Sequence, residues 1–303
     1  MGLGMVSAAC TRGRGHSSQA PPGSIAGLTS GAAMLSVLGT GADAPAMNPG
    51  KNRLGFVLVN RQNQVIIGGT PQVWLAPDDT TRATGPFTAT WHPFTAYEET
   101  GDRSPASPLP GCFAAEIDFP TAGIWKVAAT VEQGSKRLAG TGALRVLNGP
   151  VMAGLGTKAV STSTPVATTP AKIAEICTRT PVDRVHYISL DKALRNGKPT
   201  VACFSTPLLC ESRLCGPVTD EQILLFEKYG PDRANFIHVE EFLPGPDRKP
   251  PAATLENRSP AFKAWKLETE PWVFVIDRQG VIRFRSVGPV TAPEIEEALQ
   301  PLL

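Results

Sequence analysis

The sequence is poor in long apolar runs, in histidine, in aromatic residues and in surplus charge of either sign, and each shortage narrows what the protein does. No run of about eighteen or more apolar residues is present, so a transmembrane helix is not expected. Six cysteines in 303 residues are too few for a disulfide scaffold. They also stand too unevenly for a zinc site, with no pair of CxxC knuckles and no HExxH. The four histidines (His16, His92, His186 and His238) are scattered singly and read as surface or core residues rather than ligands. Twenty-nine basic against 27 acidic residues leave a net charge of +2 without a basic patch, which argues against a nucleic-acid partner. What the chain does have is 29 glycines and 29 prolines, with 42% hydrophobic and 18% charged residues. That is a globular composition rich in turns, and the length suits two domains, each with its own core.

The first residues read as an export signal. Met1 to Ala9 is small and apolar, and Val6-Ser7-Ala8-Ala9-Cys10 resembles the lipobox of bacterial lipoproteins, which implies lipidation at Cys10 and a membrane anchor. Ser7 stands where that pattern carries Leu, and no Lys or Arg precedes the apolar run. A second reading makes Arg12 and Arg14 the charged region of a signal peptide, Ile25 to Leu38 its apolar stretch, and Ala44-Pro45-Ala46 the cleavage region. A third is a plain leader with a chance cysteine. Both export readings place the protein outside the cytoplasm, as a cell-membrane lipoprotein or a secreted protein, where disulfides persist.

Composition divides the chain into a leader and tether over 1–34, a β-rich domain over 35–148, a Pro/Thr-rich linker over 149–181 and a mixed domain over 182–303. In the second segment short apolar runs, several alternating with period two, follow one another between Gly, Pro and Asn. Pro120-Thr121-Ala122-Gly123 reads as a tight corner leading into a strand whose Trp125 packs inward. The series predicts an all-β immunoglobulin-like sandwich. In the last segment Thr200 to Ser205 and Asn235 to Val239 read as buried strands, with an amphipathic helix from Thr219 to Tyr229 between them, so the two strands should be parallel. Asp277-Arg278-Gln279-Gly280 marks a hairpin between two further apolar runs, and Pro293 to Leu299 a closing helix.

Two stretches of this last segment carry a family resemblance. Lys198-Pro199-Thr200-Val201-Ala202-Cys203-Phe204-Ser205-Thr206-Pro207, followed by Cys210 and Cys215-Gly216-Pro217, resembles the active-site strand and turn of thioredoxin-like proteins. Thr269-Glu270-Pro271-Trp272 through Val281 resembles the second half of that family, from its cis-proline onward. The resemblance spans 182–303 and implies an α/β thioredoxin fold with a central mixed sheet, a cis Glu270–Pro271 peptide and an extracytoplasmic thiol–disulfide oxidoreductase. Cys210 would attack, Cys215 resolve and the Pro271 loop orient the substrate, with no cofactor or metal. The implied partners are exported proteins with thiols or disulfides, and a redox partner protein. The family's CxxC is here a C-x4-C. Counted from Phe204, Cys210 holds the attacking position; judged by Cys-Gly-Pro, Cys215 does, and Val218 stands in the resolving position.

Three other readings use the same residues. Thr206 to Cys215 is also similar to the C-x4-C type of peroxiredoxin, although Thr206 lies four residues before Cys210 rather than three, and Pro271 replaces that family's arginine. Cys210, Cys215 and His238 offer soft donors for copper(I), as in thioredoxin-fold copper chaperones. The pair can also be a structural disulfide in a binding module. Cys203 reads as a small core residue. Cys112 and Cys177 are open to bridging each other or staying free, and Cys177 also to reaching the redox pair.

Overall fold

Alternating apolar residues and frequent turn formers give thirteen strands, seen in a computed structural model that describes residues 20–39, 45–96, 109–149, 153–210, 212–244 and 252–303. Cys10, the lipobox and Ala44 lie outside the described residues. The first nine strands are β1 (Ala33–Gly39), β2 (Pro45–Met47), β3 (Gly50–Val59), β4 (Gln72–Ala76), β5 (Thr84–Thr88), β6 (Thr90–Pro93), β7 (Gly111–Phe119), β8 (Gly123–Gln133) and β9 (Lys136–Val146). They form one mixed sheet in the order β5-β4-β8-β9-β1-β3-β7-β6, with β2 beside β9. Trp125 turns inward at the start of β8, its Nε1–H donating to the Thr121 carbonyl at 2.9 Å and its ring lying 5.9 Å from that of Phe119.

This corrects the expected immunoglobulin-like sandwich. Residues 33–35 of β1 pair parallel with β9, while residues 36–39 pair antiparallel with β3, so one strand joins what would have been two separate sheets. At the other end only the buried Ala89 separates the edge strands β5 and β6. The sheet therefore curls round its apolar face into a nearly closed, barrel-like wall. The period-two pattern is the same for a stacked pair of sheets and for one curled sheet, and so does not distinguish them.

The remaining strands, β10 (Thr200–Phe204), β11 (Asn235–Val239), β12 (Trp272–Ile276) and β13 (Ile282–Val287), form a four-stranded sheet in the order β11-β10-β12-β13. β10 and β11 are parallel and the other two pairings antiparallel. The Asp277–Gly280 turn closes through Asp277 Oδ1, which accepts the N–H groups of Gln279 (2.9 Å) and Val281 (2.8 Å), while Gly280 takes the left-handed φ of 75°. The expectation of an α/β thioredoxin fold with a central sheet is likewise corrected. The chain is mostly β, and the only long helix among the described residues is Cys215–Arg233, broken near its end at Gly230 and Pro231. The closing helix expected at 293–299 forms over Ala292–Leu299, and Leu190–Ala193 is a further helix of a single turn.

Residues of β10 and β12 alternate between two cores. Val201, Cys203, Val273 and Val275 pack with Val218 and Leu225 of the long helix, Ile295 of the last helix, and Val57, Val59 and Cys112 of the barrel wall. Ala202, Phe204, Trp272, Phe274 and Ile276 point the other way, where Phe204 meets the rings of Phe262, Trp265 and Phe274 at 6.2, 4.8 and 5.7 Å. Burial on both faces explains why these strands read as unbroken apolar runs. Arg53 of β3 ties the wall to the last helix by a two-pronged ion pair with Glu294 (2.7 and 2.9 Å). Gly55 is required beside it, since a Cβ there would lie 2.5 Å from the Pro289 carbonyl.

Candidate active site

The loop after β10 leaves the sheet at Ser205 and enters the long helix at Cys215. Pro217 falls in that helix's first turn, where its missing N–H breaks no helical bond. Cys210 and Cys215 are joined by a disulfide, with Cα atoms 6.0 Å apart. The two sulfurs differ in environment: Cys215 is fully buried and Cys210 half-buried. The Cys215 backbone N–H, one of the unpaired donors at the helix start, donates to Cys210 Sγ at 3.2 Å. Ser212 Oγ lies 3.3 Å from the same sulfur. Next to it Leu208 is 54% exposed, an apolar group open to a partner. Arg213, in the left-handed region at φ 63°, sends Nη1 to the Asn63 side chain of the barrel wall at 2.8 Å.

The Glu270–Pro271 peptide is cis. It brings up a group the sequence reading overlooked: the Glu270 carboxylate lies within 4.8 Å of both sulfurs. Burial, with the nearby carboxylates of Glu241 and Glu240, pushes this carboxyl well above the usual range, against a hydrogen bond from Thr206. Its Oε2 is buried with no hydrogen-bond partner among the described residues. In the sequence Glu270 stands directly before the proline already singled out, but nothing in that position marks it as facing the two sulfurs.

Thr206 does not serve Cys210. Its Oγ1 accepts the N–H groups of Glu241 (2.7 Å) and Phe242 (3.2 Å). His238 does not join the cysteine pair either; its donor atoms gather with Cys177, Asp183 and His186. Cys112, Cys177 and Cys203 are buried, and among the described residues none of them is in a disulfide. Burial pushes the Cys112 thiol up to about 12 and also raises that of Cys203. Among the described residues no helix is long and apolar enough to cross a membrane. No protein-family model and no curated protein matches the chain, so the chemistry of these side chains is what points to a function.

Proposed function

We infer that the chain is an extracytoplasmic thiol–disulfide oxidoreductase, akin in its chemistry to thioredoxin-like proteins, with Cys210 as the exchanging sulfur. The observation that carries this reading is the N–H of Cys215 directed at Cys210 Sγ from the start of a helix. A thiolate at Cys210 would receive that hydrogen bond and the positive end of the helix dipole, both of which lower a thiol's pKa.

Starting from the closed pair, a substrate thiolate attacks the half-buried Cys210 Sγ. The Cys210–Cys215 bond breaks, a mixed disulfide forms at Cys210, and Cys215 leaves as a thiolate that takes a proton from the Glu270 carboxyl. A second substrate thiolate then attacks the substrate sulfur of the mixed disulfide. Cys210 leaves as a thiolate held by the Cys215 N–H, and the substrate departs oxidised by two electrons. Run backwards, the same steps reduce a substrate disulfide. The Pro271 loop, adjoining Glu270, orients the substrate. Partners in this reading are exported proteins with thiols or disulfides and a second redox protein that resets the pair; a lipidated Cys10 adds a membrane anchor. The peroxidase alternative loses support because Thr206 Oγ1 is engaged by the N–H groups of Glu241 and Phe242 on the neighbouring segment.

The test is an insulin-reduction and disulfide-isomerisation assay on the wild type and on Cys210→Ser and Cys215→Ser, with the potential of the pair measured against glutathione. We expect both substitutions to abolish turnover, and Cys210 to alkylate before Cys215 after mild reduction. A potential above roughly −300 mV is expected of an exchange catalyst. Turnover unaffected by either substitution overturns the reading, as does a far lower potential, which marks a structural bridge.

A further inference from the structure

Behind the disulfide lies a second group of ligand-type side chains that the redox chemistry does not use. Cys177, Asp183 and His186 sit on one irregular segment, and His238 on β11. Their exposures are 0, 4, 3 and 2%. All four donor atoms lie within 4.8 Å of one another. Asp183 Oδ2 is 3.3 Å from Cys177 Sγ and 2.9 Å from His238 Nδ1, and Asp183 Oδ1 is 3.3 Å from His186 Nε2. For comparison, a tetrahedral shell with metal–ligand bonds of about 2.0–2.3 Å has edges of about 3.3–3.6 Å.

We propose that Cys177 Sγ, the Asp183 carboxylate, His186 Nε2 and His238 Nδ1 hold one zinc-class divalent cation in a closed, four-coordinate site. Three further observations support the assignment. His186 Nε2 is buried and makes no aligned hydrogen bond, although it faces the centre of the group. His238 turns its other nitrogen away from the group, Nε2 lying 3.0 Å from the Ser205 carbonyl oxygen. That outer contact fixes a ligating histidine's ring and tautomer. Finally, both histidines also line a cleft of about 280 Å³, which places the group beside open space rather than deep in an apolar core.

Charge and donor type select the ion. A thiolate, a carboxylate and two neutral imidazoles carry two negative charges, so a divalent cation makes the buried shell neutral. One sulfur, two nitrogens and one oxygen suit zinc, whereas calcium and magnesium require oxygen shells. Four protein donors leave no open position, which is the pattern of a structural site.

The ion would fix the loop that carries the redox pair. Ser205 Oγ lies 3.0 Å from His238 Nε2 and 2.7 Å from Thr219 Oγ1, which donates to the Cys215 carbonyl at 2.7 Å. On the other side Glu240 accepts from the Thr178 N–H at 2.6 Å, and Thr178 Oγ1 accepts from the Leu208 N–H at 3.4 Å.

The experiment uses the full chain with Cys210–Cys215 oxidised, so that this pair offers no thiolate. After equilibration with zinc and gel filtration, elemental analysis is expected to find one zinc per chain. Cobalt(II) in its place is expected to give strong visible bands of tetrahedral symmetry and a thiolate charge-transfer band. His186→Ala and Cys177→Ser are expected to lower zinc affinity by at least roughly tenfold, while the Cys210→Ser/Cys215→Ser double variant keeps the ion. Should the single variants fail to fold, X-ray absorption on the zinc-loaded wild type decides, with one sulfur and three nitrogen or oxygen neighbours expected. A wild type that binds no stoichiometric zinc, a shell without sulfur, or an ion lost with the Cys210/Cys215 pair overturns the assignment. None of these readouts depends on exchange activity.

Discussion

Replacing Arg53 by methionine is expected to destabilise the chain by about 3 kcal/mol at neutral pH. Removing one partner of a buried ion pair costs about 3–5 kcal/mol, because the remaining charge stays behind without compensation. Here both side chains are largely buried, at 17 and 15% exposure. Glu294 would keep the Thr291 N–H (3.0 Å) and hydroxyl (2.9 Å), which places the cost at the low end of that range. Arg53 also donates to Ser286 Oγ and to the Pro289 carbonyl, both at 3.0 Å, and the methionine stem replaces only the packing. Burial alone would raise the Glu294 carboxyl, but the Arg53 guanidinium together with the Thr291 N–H outweighs it and holds the group below its ordinary value. That stabilisation is present above the unfolded carboxyl's pKa of about 4.3 and is lost as the pH falls through the lower folded value. In the variant the same carboxyl shifts upward, so the gap between the two proteins should close as the pH falls through about 4 and below. Urea denaturation of oxidised protein at pH 7.5 and at pH 4 measures this. A variant within about 0.5 kcal/mol of wild type at neutral pH, a change typical of surface substitutions, or a gap indifferent to pH, would refute the reasoning.

Glu270→Gln is expected to slow thiol–disulfide exchange on the order of 10²-fold, the contribution of a positioned proton donor, as read by stopped-flow mixing with dithiothreitol. The same change should stabilise the fold at pH 8 but not at pH 4. The unfolded carboxyl ionises first, so its raised folded pKa makes the wild type lose stability as the pH rises through the window between them. Equal stability of the two proteins at both pH values would remove the buried-acid argument. Phe204→Ala, which deletes the ring shared by Phe262, Trp265 and Phe274, should cost about 3–5 kcal/mol in denaturant melts with a cooperative transition retained.

Much of the second sheet was legible because its determinants are local. β11 spans Asn235–Val239 and β12 Trp272–Ile276, the same residues as their apolar runs, and the Asp277–Gly280 turn is written in its side chains. Cys210 and Cys215 were legible as a pair because four intervening residues let a loop and one helix start bring their sulfurs together. The acid beside them was not, because its effect depends on how deeply the Glu270 loop is pressed against sulfurs some sixty residues away in sequence.

By itself the sequence determined where the strands and the turn of the second sheet form and singled out Cys210 and Cys215 as two sulfurs able to meet, since periodicity and short spacings act within a few residues. Only the tertiary structure decided that β1 changes partners and curls the first nine strands into one wall, because strand partnership is fixed by contacts as distant in sequence as Ala33 with Leu138. It alone also decided that His238, inconspicuous in its apolar strand, meets Cys177, Asp183 and His186. Donor atoms converge when the segments that carry them are packed side by side, and no spacing along the chain records that packing.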